Sequence, residues 1–410
     1  MLRSTSPSVL VRFAVALLGG GARWRVWLAL NALGFALGVA AFFYGHHHGL
    51  AVTAMNDQVP WGAYIANFSY FVGMGTAPVM IAVPAYVYGN AALRPVVFFS
   101  QVLGLVATLV AGLFVMVDVE RLDRMWHIIP GVGFFNFPDS MLAWDVVVLS
   151  GYLGLMGVTL GGTVITLLRG KEPGRRFVVW SGLVTAAWAV GMHTVTAFLY
   201  AGFAGRPFWN NAVLAPRFLV SAVATGTGAL LLASRAMEEE DGAPPLATDA
   251  RVPIERVLGV ALAVDLFLLA AQGFVELYAQ GAGATPLRYL LFGLGRHRAL
   301  VPWAWLGAVL EVAAAVFFML PRAARDRVTR VGAVPTEDIF CAAALIGIWF
   351  SKGMSLVIPG FVPSQLGEMV EYVPSLVETL VSLGVWCFGL GALSVLLRLE
   401  RAAILAARPS

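Results

Sequence analysis

The stretch VVFFSQVLGLVATLVAGLFVMV at residues 96–117 contains no charged residue and is long enough to cross a bilayer as a helix. A spanning helix needs about 20 apolar residues, whereas a membrane β-barrel would show shorter, alternating segments. Nine other stretches share this character, so the sequence predicts an all-α polytopic membrane protein with about ten transmembrane helices. The predicted spans are 24–44, 61–87, 96–117, 140–168, 177–201, 212–236, 255–279, 300–320, 336–357 and 374–397.

The composition of the whole chain agrees with this class. Of its 410 residues, 59% are apolar and 12% are charged, whereas soluble domains have about 45–50% and about 25%. A net charge of +4 is too small for a nucleic-acid-binding surface. Two cysteines are too few for a disulfide framework, or for an iron–sulfur cluster held by this chain alone, which needs about four thiolates.

The distribution of Lys and Arg predicts the orientation. Most of them fall at the two termini and in the loops near 169–176 and 322–330, all on one side of the membrane. Cytoplasmic loops retain positive charge, so both termini are expected in the cytoplasm, with the chain in a bacterial or archaeal-type cytoplasmic membrane. The polar stretch Glu238–Pro253 is typical of a flexible acidic linker. The predicted division is a cytoplasmic N-terminal segment at 1–23, a six-helix membrane half at 24–236, an acidic linker at 237–254, a four-helix half at 255–397 and a cytoplasmic tail at 398–410.

Polar side chains concentrate near the outer ends of three consecutive spans. Tyr64 and Asn67 are three residues apart and share a helix face, while Asp118, His127 and Asp145 follow at a similar predicted depth. The aromatic residues around them include Phe68 and Trp144.

This combination fits a quinone pocket. A quinone ring needs a flat apolar slot, and its oxygens need a proton acceptor and a hydrogen-bond donor. Tyr64, Asn67, Phe68 and Trp144 are therefore candidate quinone-binding residues, and Asp145, Asp118 and His127 are candidate catalytic residues. The alternative is an aromatic belt at the membrane interface, with Asp145 capping a helix.

Ionisable residues inside other spans suggest further sites. His193 is a candidate quinone ligand, with a packing hydrogen bond as the alternative. Asp265 and Glu276, which are eleven residues apart, and Glu311 form either a proton pathway or a structural network. Lys352 is expected to neutralise one of the carboxylates at the outer ends of the last two spans, Glu368, Glu371 and Glu378.

The residue inventory excludes several other cofactors. Bis-histidine haem is not expected, because His193 is the one histidine within a predicted span, and there is no nucleotide-binding motif. No metal site is expected, and the triplet His46–His48 is placed in a solvated outer loop. Electrons taken from a quinol must then leave to a cofactor on another subunit, which we expect to dock at the outer face.

Five segments, in order along the chain, resemble the NrfD/PsrC family of polysulfide-reductase membrane subunits, in particular its DsrP/HybB-like branch. They are PWGAYIANFSYFVGMG at 60–75, AGLFVMVDVERLDRMWH at 111–127, FNFPDSMLAWDVVVLSGYL at 135–153, MHTVTAFLYAGFAGRPFWNNAVLAPRF at 192–218 and SKGMSLVIPGFVPSQLGEMVEYVPSLVE at 351–378.

The resemblance implies two four-helix bundles with flanking helices, and no haem or iron–sulfur cluster in this chain. It also implies exchange of menaquinone or ubiquinone at an outer pocket. The partner would be a ferredoxin-like iron–sulfur subunit on the periplasmic face, together with cytochrome c or molybdopterin-type subunits. In the related subunit of alternative complex III, a Trp-Asp pair lines the pocket and matches Trp144–Asp145, while a pocket histidine matches Asp118 here.

The sequence thus predicts the quinone-interacting membrane subunit of a respiratory oxidoreductase, active only within its complex and coupled to proton translocation in one version of this hypothesis. Two alternatives remain open at this point. One is a secondary transporter or ion channel with Asp265, Glu311 and Lys352 on its pathway. The other is a passive membrane anchor for a redox complex.

Overall fold

The computed structural model describes residues 19–407 except 120, 130, 170, 172, 242–245, 247, 326, 328–329, 332–333, 365–366 and 370. Within this part of the chain, ten helices are long and apolar enough to cross a membrane, which confirms the predicted all-α class. The spans, numbered in chain order, are Ala22–Val52, Ala63–Val87, Val96–Asp118, Met141–Thr166, Arg175–Ala201, Leu214–Arg235, Asp249–Ala279, Val301–Met319, Thr336–Phe361 and Leu376–Leu399.

The individual elements are mostly single long helices. The α-helices are Ala22–His48, Ala63–Met74, Ala77–Ala82, Arg94–Asp118, Met141–Leu168, Arg175–Ala201, Leu214–Asp241, Thr248–Ala279, Ala284–Phe292, Val301–Met319, Arg322–Arg325, Thr336–Ile348, Ser355–Val357 and Leu376–Ala407. The 3₁₀ turns are Gly49–Val52, Ala91–Leu93, Leu122–Ile128 and Pro359–Phe361, and the π-helical segments are Val83–Val87 and Trp349–Met354. Two short strands, Arg330–Val331 and Val334–Pro335, pair antiparallel.

The spans form two four-helix bundles and a flanking pair. Spans 2, 3, 4 and 5 pack around one another as the first bundle, and spans 6, 7, 8 and 9 as the second. Spans 1 and 10 pack together and lie against span 3. The two bundles meet where span 2 contacts spans 6 and 9. This is the arrangement that the family resemblance implies.

The packing does not follow the predicted six-plus-four division. Span 6 belongs to the second bundle, so the predicted linker at 237–254 joins two helices of the same bundle. Helices also extend into that range, since one ends at Asp241 and the next begins at Thr248. The last helix continues to Ala407, through most of the predicted tail. Of the predicted N-terminal segment, residues 1–18 lie outside the described residues.

A buried ionic cluster explains why the C-terminal part of the predicted linker is ordered. Arg251 pairs with Glu255 at 2.8 Å and with Glu337 at 3.2 Å, and Arg325 pairs with Glu255 at 3.0 Å. Nearby, Arg235 lies 3.2 Å from Asp338. Because these groups are paired in the interior, the charges that suggested a solvated linker instead join the ends of spans 6 to 9.

The first span is longer than predicted. Its helix continues past residue 44 to His48 and ends at Gly49, whose φ of 71° lies in the left-handed region that favours glycine. His46–His48 therefore form the last helical turn, not a loop. Cations at a helix C-terminus interact favourably with the helix dipole.

Spans 2 and 9 are irregular at membrane depth. Span 2 is interrupted between Met74 and Ala77, where the Tyr152 hydroxyl donates to the Gly75 carbonyl at 2.6 Å. Span 9 continues through the π-helical segment Trp349–Met354. Irregular backbone is tolerated within a membrane only where protein groups satisfy it, and π-helical turns are frequent at functional sites.

Candidate functional site

We call the end of the molecule that carries Ala63, Asp118 and Met141 the outer end, following the charge distribution. Asp145 lies one turn into span 4 and is 4% exposed. Its Oδ1 accepts a hydrogen bond of 2.7 Å from the Thr196 hydroxyl on span 5. Another turn along span 5, the Tyr200 hydroxyl is hydrogen-bonded to Ser69 of span 2. These contacts tie spans 2, 4 and 5 together around a buried carboxyl group.

An aromatic cluster packs against Tyr200. The Trp61 ring lies 5.8 Å from the rings of Tyr200 and Trp209, and the Trp209 ring lies 4.8 Å from Phe361. The Trp209 indole donates to the Leu356 carbonyl at 2.8 Å. Since Trp61 and Tyr200 precede the second bundle while Leu356 and Phe361 belong to it, the cluster joins the two bundles at the outer end.

A cavity of about 60 Å³, which we call the outer cleft, lies beside these groups between spans 1, 3 and 10. Tyr64 and Asp118 line it together with His46, Met55 and Val377. Asp118 Oδ1 is buried and has no hydrogen-bond partner among the described residues. The outer cleft therefore presents a phenol and an unsatisfied carboxylate oxygen within apolar walls.

Glu378 lies close enough to both Tyr64 and Asp118 to interact with them electrostatically. It is fully buried and accepts hydrogen bonds from the backbone N–H groups of Ala54 at 2.8 Å and Ser375 at 2.9 Å, and from the Tyr372 hydroxyl. Burial and the neighbouring Glu378 carboxylate raise the pKa of Tyr372 above its usual value. Glu378 is thus held by three donors, unlike Asp118. Sequence reasoning assigned Glu378 to a different pairing.

Asn67 does not share the surroundings of Tyr64. Its Oδ1 accepts hydrogen bonds from the indoles of Trp349 at 2.8 Å and Trp386 at 2.9 Å, and its Nδ2 donates to the Ala63 carbonyl at 2.8 Å. The side chain therefore joins spans 2, 9 and 10, and its acceptor oxygen is already engaged. Phe68 is 1% exposed in the hydrophobic core.

Two other predicted residues lie at the surface. His127 belongs to the outer 3₁₀ turn Leu122–Ile128, where its ring packs 3.9 Å from that of Trp126. Trp144 is 36% exposed, donates to the Pro138 carbonyl at 2.8 Å and packs against Phe137. No described contact connects either residue with the outer cleft.

A second group of polar side chains is buried where the bundles meet. Lys352 is 2% exposed on the π-helical segment of span 9, and its Nζ donates to the Phe218 carbonyl at 3.2 Å and lies 4.4 Å from the Phe218 ring centroid. His193 is 1% exposed, interacts electrostatically with Lys352 and has no hydrogen-bond partner for either ring nitrogen among the described residues.

The same group continues into the second bundle. Arg217 Nε lies 3.4 Å from Asp265 Oδ1, and Lys352 also attracts Asp265 electrostatically. Glu311 is fully buried, accepts a hydrogen bond from the Ser351 hydroxyl and is repelled by Asp265. We call His193, Arg217, Asp265, Glu311 and Lys352 the interbundle polar chain.

Two sequence expectations are wrong in this region. Lys352 faces Asp265, whereas Glu368 is bonded to Gln58 and Glu371 to the Ala299 backbone. Glu276 is partly exposed near the outer end, where its side chain is hydrogen-bonded to Asn211. An offset of eleven residues along one helix is about 16 Å, so Glu276 does not join Asp265 in the polar chain.

The described residues contain no group of three His, Cys, Asp or Glu side chains arranged to hold a metal ion. What the outer end offers instead is an apolar cleft with hydrogen-bonding and proton-accepting groups. Comparison with known proteins identifies the type of molecule. The model of the family described as "Polysulphide reductase, NrfD" matches residues 51–362. The chain belongs to the NrfD family.

Named relatives place this NrfD-family chain among membrane subunits of oxidoreductase complexes. It is 27% identical to a protein of Halobacterium salinarum provisionally named as a membrane subunit of dimethyl sulfoxide reductase, over 93% of each chain. It is 26% identical to the Hdr-like menaquinol oxidoreductase integral membrane subunit of Archaeoglobus fulgidus, over 50% of this chain and 47% of the relative. It is 23% identical to a selenate reductase subunit of Mesobacillus selenatarsenatis, over 59% and 63%.

Proposed function

We propose that this NrfD-family subunit exchanges electrons between the membrane quinone pool, menaquinone or ubiquinone, and an iron–sulfur subunit docked at its outer end. The observation that carries the proposal is the outer cleft, where Tyr64 and the unsatisfied Asp118 Oδ1 share one apolar cavity. The menaquinol oxidoreductase name of the Archaeoglobus fulgidus relative supports the choice of substrate.

In this proposal Tyr64 donates a hydrogen bond to a quinone oxygen, and Asp118 accepts a quinol proton. Asp145, held by Thr196 and within electrostatic reach of Tyr200, is a second proton acceptor behind the cleft. Pockets for small ligands usually measure about 300 Å³ or more, so a cleft of about 60 Å³ must widen to admit the ring. The proposal assigns no quinone contact to Asn67, since its acceptor oxygen is engaged.

An exposed apolar surface supports docking of a partner at the same end. Phe134 is 94% exposed and Val132 66%, on the outer loop that also exposes Trp126 and Phe137. Contiguous exposed apolar patches mark protein or membrane interaction sites. This loop also carries His127, so we propose that His127 contacts the iron–sulfur subunit and not the quinone.

The interbundle polar chain supports a proposal of proton translocation. Ionisable residues inside membrane bundles commonly form proton relays, and here Asp265, Glu311, His193 and Lys352 cross from one bundle to the other. His193 has two unpartnered ring nitrogens beside Lys352, so it is placed to receive a proton and not to hold a quinone.

The test is steady-state quinol turnover by the purified complex carrying Asp118→Asn. General acid–base groups contribute about 10²–10⁴-fold, so we expect kcat/KM to fall at least a hundredfold while the complex assembles normally. Asp139→Asn, which changes an exposed carboxylate of the outer loop, is the matched control and should have no effect. Full turnover in assembled Asp118→Asn complex would contradict the proposal, and loss of assembly by Asp145→Asn with normal quinone chemistry would favour a passive anchor.

A further inference from the structure

A large apolar cavity of about 540 Å³ lies toward the inner end of the molecule. We call it the inner cavity. Spans 1, 2, 3, 6, 9 and 10 line it. Among its lining residues, Trp27, Ile346 and Leu390 are 41%, 48% and 40% exposed, on the surface that the spans turn toward lipid. The cavity therefore opens sideways into the bilayer.

The inner cavity has the length of one membrane leaflet. On span 10 its lining runs from Trp386 to Arg398, and twelve residues of helix measure about 18 Å. Half of a hydrocarbon core of about 30 Å is about 15 Å. An acyl chain that enters at the inner surface would thus fill the cavity down to the middle of the membrane.

Charge at the two ends of the inner cavity distinguishes between ligands. At the inner end Arg398 packs its guanidinium 4.3 Å from the Trp24 ring centroid, close to the positively charged start of span 1. At the deep end lie the rings of Tyr70, Trp349 and Trp386. The residues that line the cavity include no carboxylate, histidine or lysine, so a quinone ring bound there would have no proton acceptor.

We propose that the inner cavity binds an anionic phospholipid of the inner leaflet, with its phosphate at Arg398 and one acyl chain lying between spans 6, 9 and 10. Basic side chains at a membrane surface attract anionic lipid. The walls of the cavity are fixed from within, since Trp27 donates to Ser394 at 3.0 Å and Trp349 and Trp386 both donate to Asn67. The bound lipid would fill a space that these side chains hold open.

The test is native mass spectrometry of the delipidated protein with phosphatidylglycerol and phosphatidylcholine of identical acyl chains. We expect wild-type protein to bind phosphatidylglycerol about fivefold more tightly. Arg398→Gln should remove that preference, since one basic residue is worth about 1 kcal/mol, or about fivefold. Arg322→Gln, another exposed arginine of the inner side, should keep it.

Filling the cavity gives an independent readout. Ala233→Phe and Ala342→Phe lie on different helices of the wall, and each should weaken binding of both lipids at least tenfold. Thermal unfolding in detergent must match the wild type for a variant to count, and either variant alone suffices. Equal affinity for the two lipids in wild type, or binding that survives the phenylalanine, would overturn the proposal. Displacement of copurifying quinone by these variants, with phospholipid binding intact, would also overturn it.

Discussion

Replacing Arg217 by Met should destabilise the second bundle, because it leaves the Asp265 carboxylate buried without its ion partner. The two side chains are 8% and 0% exposed, with 3.4 Å between Arg217 Nε and Asp265 Oδ1. At an effective dielectric constant of about 20, the attraction at this distance is about 5 kcal/mol. Breaking a buried pair typically costs about 3–5 kcal/mol. Lys352 still attracts Asp265 in the variant, so we expect a loss of about 3 kcal/mol.

A double-mutant cycle checks this reasoning. The free energy of unfolding is measured by denaturant titration of the purified chain for wild type, Arg217→Met, Asp265→Asn and the double variant. Since Asp265→Asn removes the unpaired charge, the double variant should recover most of the loss, with a coupling energy of about 2 kcal/mol. The exposed pair Arg121 and Asp123, 2.9 Å apart, is the control, and its removal should leave stability unchanged. Additive losses at Arg217 and Asp265 would refute the pairing.

Two further changes test individual packing contacts. Asn67→Leu removes the acceptor of two indole donors, so the free energy of unfolding should fall by about 1–3 kcal/mol while the KM for quinol stays unchanged. A raised KM with unaltered stability would instead place Asn67 in the quinone site. Gly38→Leu should separate spans 1 and 10, because even a Cβ at Gly38 would lie 2.5 Å from the Gly384 Cα. Thermal unfolding should then occur at a lower temperature than for Gly154→Leu, whose Cβ would meet no neighbour, and equal effects would contradict the close approach.

The spans could be predicted to within a few residues because length and hydropathy alone define them. Their grouping could not, since contacts between helices depend on which faces meet. Tyr64 and Asn67 show the limit within one helix. Their spacing correctly places them near one another, yet Tyr64 faces the outer cleft while Asn67 is taken by Trp349 and Trp386. Those tryptophans are almost 300 positions or more away in the chain, and no local pattern encodes the contact.

Lys352 shows a second limit. Its nearness in sequence to Glu368, Glu371 and Glu378 suggested a pairing at the outer surface, but those carboxylates satisfy themselves with nearby donors. Glu371 accepts from the Ala299 N–H at 2.6 Å, and Glu378 is held by three donors. Lys352 remains on a π-helical turn that directs it between the bundles toward Asp265. The sequence identified the buried charge but not the helix that would meet it.

The irregular segments of spans 2 and 9 explain why the polar residues of the interior lie where the bundles meet. A break in a membrane helix frees carbonyl groups, and lipid cannot satisfy them. Here side chains do so: the Tyr152 hydroxyl donates to the Gly75 carbonyl, and the Thr76 hydroxyl donates to the Ala222 carbonyl at 2.8 Å. Lys352 does the same for the Phe218 carbonyl while it attracts Asp265. The charge of Lys352 therefore contributes both to the packing of the two bundles and to the electrostatics of the polar chain, so a change in its protonation must affect both.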